Sequence, residues 1–130
     1  MPSNAEIVRT VLDALARGDF MKIMGLVARD VRWAVNATDR EAAPWFGVYH
    51  GRASLPGLFD AFATVRFTDV TIKAVIGEGD IVASWSDVAF TSPKGRSVAM
   101  QEVQIWRVVD GKIASVDTLL DTAAVAAAFA

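Results

Sequence analysis

The sequence predicts an α+β fold: a strongly curved antiparallel sheet with three helices from the N-terminal half on its concave face. Three observations predict it. Apolar spacing is mainly helical before Phe67 and has a period of two after it. Four long period-two stretches then follow one another, divided by short turn sequences. The chain has 130 residues, 53% apolar and 22% charged, which suits one domain (1–130) with a substantial core. Helices first and strands later is an α+β order. A bent sheet with helices on one side makes a cone, and a cone has an interior.

The elements can be justified in turn. Ser3 and Glu6 form a capping box. Ile7, Val8, Val11, Leu12 and Leu15 give the first helix its apolar stripe, and Gly18 ends it. Asp19 caps a shorter helix carrying Phe20, Ile23, Met24 and Val27. Asp30 to Val35 alternates and predicts a strand, Asn36 to Pro44 a loop, and Trp45 to Gly51 a short aromatic strand or rim. A third helix is expected over about Ala53 to Val65, with Pro56 early in it and Leu58, Phe59 and Phe62 on its apolar face. Strands are expected at Thr68–Ile76, Ile81–Thr91, Ser97–Val109 and Ile113–Leu120. Gly77-Glu78-Gly79-Asp80, Ser92-Pro93-Lys94-Gly95 and Asp110-Gly111 are the turns of this antiparallel meander.

Composition removes several function classes. The formal net charge is −2, without the basic face that nucleic acid or an anionic membrane would need. There are no cysteines, hence no disulfide, thiol catalysis, iron–sulfur cluster or thiolate zinc site. With one histidine and no carboxylate cluster at ligand spacing, no metal is expected. No glycine-rich phosphate loop follows a strand, and no serine or threonine has the context of an activated nucleophile. No cofactor is expected. The N-terminal residues lack a leader's basic and apolar regions, and the uncharged run Thr122–Ala130 is too short to span a bilayer, so a cytoplasmic protein is expected.

Several short motifs, in this order and spacing, resemble the nuclear-transport-factor-2-like superfamily (the cystatin-like cone), and within it the SnoaL-like polyketide cyclase and ketosteroid isomerase branch. They are Ala16-Arg17-Gly18-Asp19, Asp30-Val31-Arg32-Trp33, Gly47-Val48-Tyr49-His50-Gly51, Trp106-Arg107-Val108-Val109-Asp110-Gly111-Lys112-Ile113 and Asp121-Thr122-Ala123-Ala124. The resemblance covers nearly the whole chain. It implies a cone-shaped barrel but no single reaction, because the fold hosts isomerases, cyclases, epoxide hydrolases and non-catalytic binders. The steroid isomerase's general base falls at Val35, its oxyanion tyrosine near Val11 and its second donor near Gln104. The limonene epoxide hydrolase's Arg-x-Asp falls at Trp85-Ser86-Asp87, and its partner aspartate at Thr118. Neither set is retained. The polyketide cyclases' acid/base carboxylate falls at Asp121.

The family register further implies which strand faces line the pocket: Trp33 and Val35; Trp85 and Asp87; Glu102, Gln104 and Trp106; and Thr118. With Trp45, Phe59 and Phe62 these make a mostly apolar wall carrying a few polar groups, the composition of a site for a small hydrophobic molecule. Four tryptophans around a hollow suit a flat ligand stacked between rings, or plain packing. Asp87 is the leading acid/base candidate: turned inward it would be desolvated and its pKa raised, turned outward it would be solvated. Glu102 is either a second inward acid or a solvated residue near a strand end. Gln104 is an oxyanion donor or a polar spacer. His50, at the expected pocket mouth, is a proton shuttle or a surface histidine. Asp121 is an acid/base or a helix cap. The expectation is a cofactor-free acid/base enzyme (isomerase, cyclase or hydrolase type) on a small apolar carbonyl compound or epoxide, with a non-catalytic binding or dimerisation module as the alternative. On either reading Val82, Val88, Phe90, Val103 and Ile105, opposite the tryptophans, would pack against a second copy in a homodimer.

Overall fold

A computed structural model describes residues 2–130, which leaves only Met1 of the expected 1–130 domain outside the described residues. The elements are α1 (Asn4–Arg17), α2 (Phe20–Met24), β1 (Val27–Val35), β2 (Gly47–His50), a 3₁₀ turn (Arg52–Ser54), α3 (Leu55–Phe62), β3 (Arg66–Glu78), β4 (Ile81–Thr91), β5 (Ser97–Val109), β6 (Lys112–Leu119) and α4 (Thr122–Phe129). The expected α+β class holds. Val27 opens β1 instead of closing α2, and the Ala-rich C-terminal segment forms a fourth helix.

The caps work as their chemistry demands. The Ser3 hydroxyl accepts from the Glu6 amide at 3.1 Å and donates to the Glu6 carboxylate at 3.2 Å. Gly18 stops α1 at φ 70°, a left-handed conformation that a side chain would strain. Asp110-Gly111 takes φ 52° and 75°, the twisted two-residue turn that joins β5 to β6.

The six strands form one curved sheet, ordered β2-β1-β6-β5-β4-β3. It is mixed, not wholly antiparallel: β1 runs parallel to β6. The long helical excursion between β2 and β3 allows this, since the meander that follows it ends with β6 beside β1. The sheet is not closed into a barrel. Single-residue register shifts at Thr68 and Lys73 interrupt the β3–β4 ladder, and such bulges bend and twist a strand. The helices pack on the inner face, α1 against β3 and β4 and α4 against β5.

The core fills the closed end of this curve. Trp33 and Trp106 meet edge to face at 5.5 Å and are fully buried with Val31, Val82 and Val116. Phe59 of α3 stacks on Phe20 of α2 at 4.4 Å. Burying rings of this size is the largest apolar contribution available per residue.

Candidate functional site

Cross-strand pairing builds the site row by row, because paired residues share a face. One inner row runs Trp33–Val116–Trp106–Val82. The next runs Val35–Thr118–Gln104–Ser84. Then come Glu102–Ser86–Ile72 and Met100–Val88–Val70. A two-row polar band thus crosses an otherwise apolar wall.

Most of the band satisfies itself. The Trp106 indole N–H donates to Ser84 Oγ at 2.9 Å, and Gln104 Nε2 donates to Thr118 Oγ1 at 3.2 Å. Glu102 differs. Among the described residues no side chain ion-pairs with its carboxylate or hydrogen-bonds to it. Surrounding protein desolvates it, and burial pushes its carboxyl up from 4.5 to about 7.

These rows front a hollow of about 400 Å³. Its inner lining includes Trp33, Val35, Ser86, Glu102, Gln104 and Thr118. An aromatic wall faces them: Trp45 touches Phe62 and Phe90 at 5.8 and 5.3 Å, and Phe67 meets Phe90 at 6.0 Å. The exposed lining residues mark the mouth. They are Ala16, Arg17 and Gly18 at the end of α1, Ala63 after α3, and Phe67 and Val70 on β3.

The expected site residues divide between this hollow and other places. Trp33, Val35, Trp45, Phe62, Glu102, Gln104 and Thr118 all line it. Trp106 and Phe59 do not, because both are packed into the core behind the wall. Asp87 and Trp85 require correction, because they share the outer face. Asp87 pairs with Gln101 and Trp85 with Val103. The Lys73 ammonium lies 3.7 Å from the Asp87 carboxylate and 4.2 Å from the centre of the Trp85 ring. Trp85 is 40% exposed, and its indole N–H donates to Gln101 at 3.3 Å. The register makes the expected pair of faces incompatible: if Glu102, Gln104 and Trp106 point in, Ser84 and Ser86 point in with them and Asp87 must point out.

His50 is exposed at the end of β2, on the sheet edge opposite β3, and so is not at the mouth. Asp121 caps α4, accepting from the Ala124 amide at 3.0 Å, outside the lining. The proposed outer face also changes. Val82, Val88 and Phe90 are buried on the inner side, and Val103 and Ile105 remain outside.

Sequence reasoning missed Ser86, Phe67, Val70 and Met100 in the lining and Arg17 at the mouth. The turn between β4 and β5 carried a signal for Ser86. Thr91 pairs with Ser97 across it, so even-numbered residues pair with even-numbered ones, and Ser86 falls opposite Glu102. Among the described residues no group of three His, Cys, Asp or Glu side chains comes together as a metal site would need. No helix among them is long and apolar enough to cross a membrane.

A helix-backed curved sheet around one apolar hollow defines a class of small α+β pocket proteins. The SnoaL-like domain family matches residues 8–116, and the chain belongs to it. No curated protein sequence matches the chain. Among solved structures, an NTF2-like protein of unknown function from Burkholderia pseudomallei superposes with a TM-score of 0.87 at 22% identity, over 99% of this chain and 98% of that one. An NTF2-like protein from Burkholderia thailandensis gives 0.85 at 25% identity, over 100% and 99%. TerC, co-crystallised with polyporic acid, gives 0.85 at 21% identity, over 97% of each. The shared fold is therefore the NTF2-like one.

Proposed function

We propose that the chain is a cofactor-free acid/base enzyme, of isomerase, cyclase or hydrolase type, acting on a small, largely apolar carbonyl compound or epoxide. One observation carries the reading: Glu102 is the single carboxylate lining the hollow, unpartnered, with its pKa raised to about 7. A carboxyl poised there can accept and return a proton near neutral pH. For a carbonyl substrate, Glu102 removes the proton on the carbon next to the carbonyl, and the negative charge moves to the carbonyl oxygen. Gln104 keeps a second N–H beyond the one given to Thr118, and Ser86 presents its hydroxyl beside Glu102. Both are placed to donate to that oxygen. The Trp106 indole N–H is already engaged by Ser84. Apolar walls strengthen each of these interactions by lowering the polarity around them. TerC, the neighbour crystallised with a small molecule, supports reading the hollow as a ligand site.

The test is turnover of a panel of apolar enones, lactones and epoxides between pH 5 and 9. The expected rate has a transition near pH 7, and Glu102→Gln lowers it at least about a hundredfold. A panel substrate that Glu102→Gln turns over like wild type would overturn the assignment. The mutual satisfaction of Gln104 and Thr118 favours a second reading, a binding module with no chemistry; it predicts that panel molecules bind and emerge unchanged. Both readings suit a cytoplasmic setting. Both are also compatible with a homodimer through the outer face, where Trp85, Val103 and Leu119 form one row across three strands. Sedimentation of wild type against Trp85→Glu reads the oligomeric state.

A further inference from the structure

Two of the hollow's lining residues carry charge, Arg17 and Glu102, and they have opposite signs and opposite positions. Glu102 lies on the inner wall of β5. Arg17 ends α1 and is exposed at the mouth, next to the Gly18 turn that lets the chain leave the helix there. The rest of the mouth is apolar, with Phe67 and Val70 on the facing strand. Among the described residues the guanidinium is held only by Asp13, at 2.6 Å one helical turn back, and both side chains are more than half exposed. An exposed pair of this kind contributes little, so a ligand can displace Asp13 at small cost.

We infer that Arg17 is the binding residue for an anionic group, and that the substrate is an apolar molecule bearing a carboxylate or similar anion at the end opposite its reacting atoms. This inference rests on the reading of the hollow as a ligand site and deepens it by naming the substrate's polarity. An anion is less well held further in than at Arg17. The inner wall offers it no cation, and Glu102 repels it whenever its carboxyl is ionised. At the mouth the guanidinium fork matches a carboxylate in a two-bond geometry. The ligand therefore enters with one orientation: anion outside, apolar body against Trp45 and Phe62, reacting end at Ser86, Glu102 and Gln104. An uncharged apolar compound would enter either end first, so Arg17 sets which end reaches the carboxylate.

Calorimetric binding of naphthalene-2-acetate and its neutral isostere naphthalene-2-acetamide tests this without knowledge of the substrate. Wild type should bind the acetate about five- to tenfold more tightly than the amide at low salt, with the preference shrinking as salt rises. Arg17→Ala should abolish the preference and leave amide binding unchanged, and Arg17→Lys should restore part of it. Asp13→Asn, which frees the guanidinium, should tighten acetate binding about twofold. These positions are exposed, so the variants should melt like wild type. If the amide binds as well as the acetate and Arg17→Ala changes neither, the anion site is wrong while the hollow remains a ligand site. If neither probe binds wild type, the ligand-site reading fails and the anion site fails with it.

Discussion

Asp87 and Glu102 sit on neighbouring strands of the same sheet, a residue out of phase, and live in different solvents. Asp87 is on the outer face, 40% exposed, with Lys73 beside it. Glu102 is on the inner face, without a side-chain partner among the described residues, its carboxyl pushed up to about 7 by burial. Their covalent chemistry is nearly identical. The pleat decides which one is desolvated, because alternation delivers one to the exposed face and the other to the wall of the hollow.

The contrast can be broken or sharpened by substitution, most strongly in the core. Trp106→Ala on the inner face should cost about 3–5 kcal/mol in urea unfolding, through the cavity and the orphaned Ser84 hydroxyl. Trp85→Ala, on the outer face of the adjacent strand, should cost less than about 1 kcal/mol in the monomer. Equal costs would mean the two faces are misassigned.

Next is the pH dependence of stability. The folded chain holds the Glu102 proton more tightly than the unfolded chain does. Stability from this group is therefore full below about pH 4.5 and falls as the pH climbs to about 7. The loss is of order 3 kcal/mol. Glu102→Gln should remove the slope between pH 4.5 and 7 and leave the variant more stable than wild type at pH 8. Urea melts across that range check it, and an unchanged slope would show that Glu102 is solvated.

The smallest effect is expected at Asp87. Asp87→Asn breaks an exposed contact and should shift stability by less than about 1 kcal/mol, and any turnover by less than about twofold. A hundredfold loss of turnover there would return the catalytic role to the outer acid.

Much of this fold was legible because its signals are local. Ser3-x-x-Glu6, Gly18 and Asp110-Gly111 state their own geometry, and β4 and β5 run where their alternation ends. The parallel pairing of β1 with β6 was not legible, because no local pattern records which strand a chain returns to. The site was half legible for the same reason. Alternation correctly groups Glu102 with Gln104 and Trp85 with Asp87, but which group faces in depends on pairing across the turn. His50 was left between a proton shuttle and a surface residue, and Asp121 between an acid/base and a helix cap; the structure puts them at a strand end and a helix cap. Arg17 stood inside a motif that suggested the fold, and only the helix's place beside the hollow brings it to the mouth.

The single-residue shifts in β3 carry one more consequence. Thr68 and Lys73 are supernumerary in the ladder, so removing either leaves Phe67, Val70 and Ile72 facing the same way as before. A deletion would flatten the strand without scrambling its faces. Chamber width in such a protein is thus adjustable one codon at a time, independently of the residues that line the inner wall, which suits a scaffold that must be refitted to molecules of different girth.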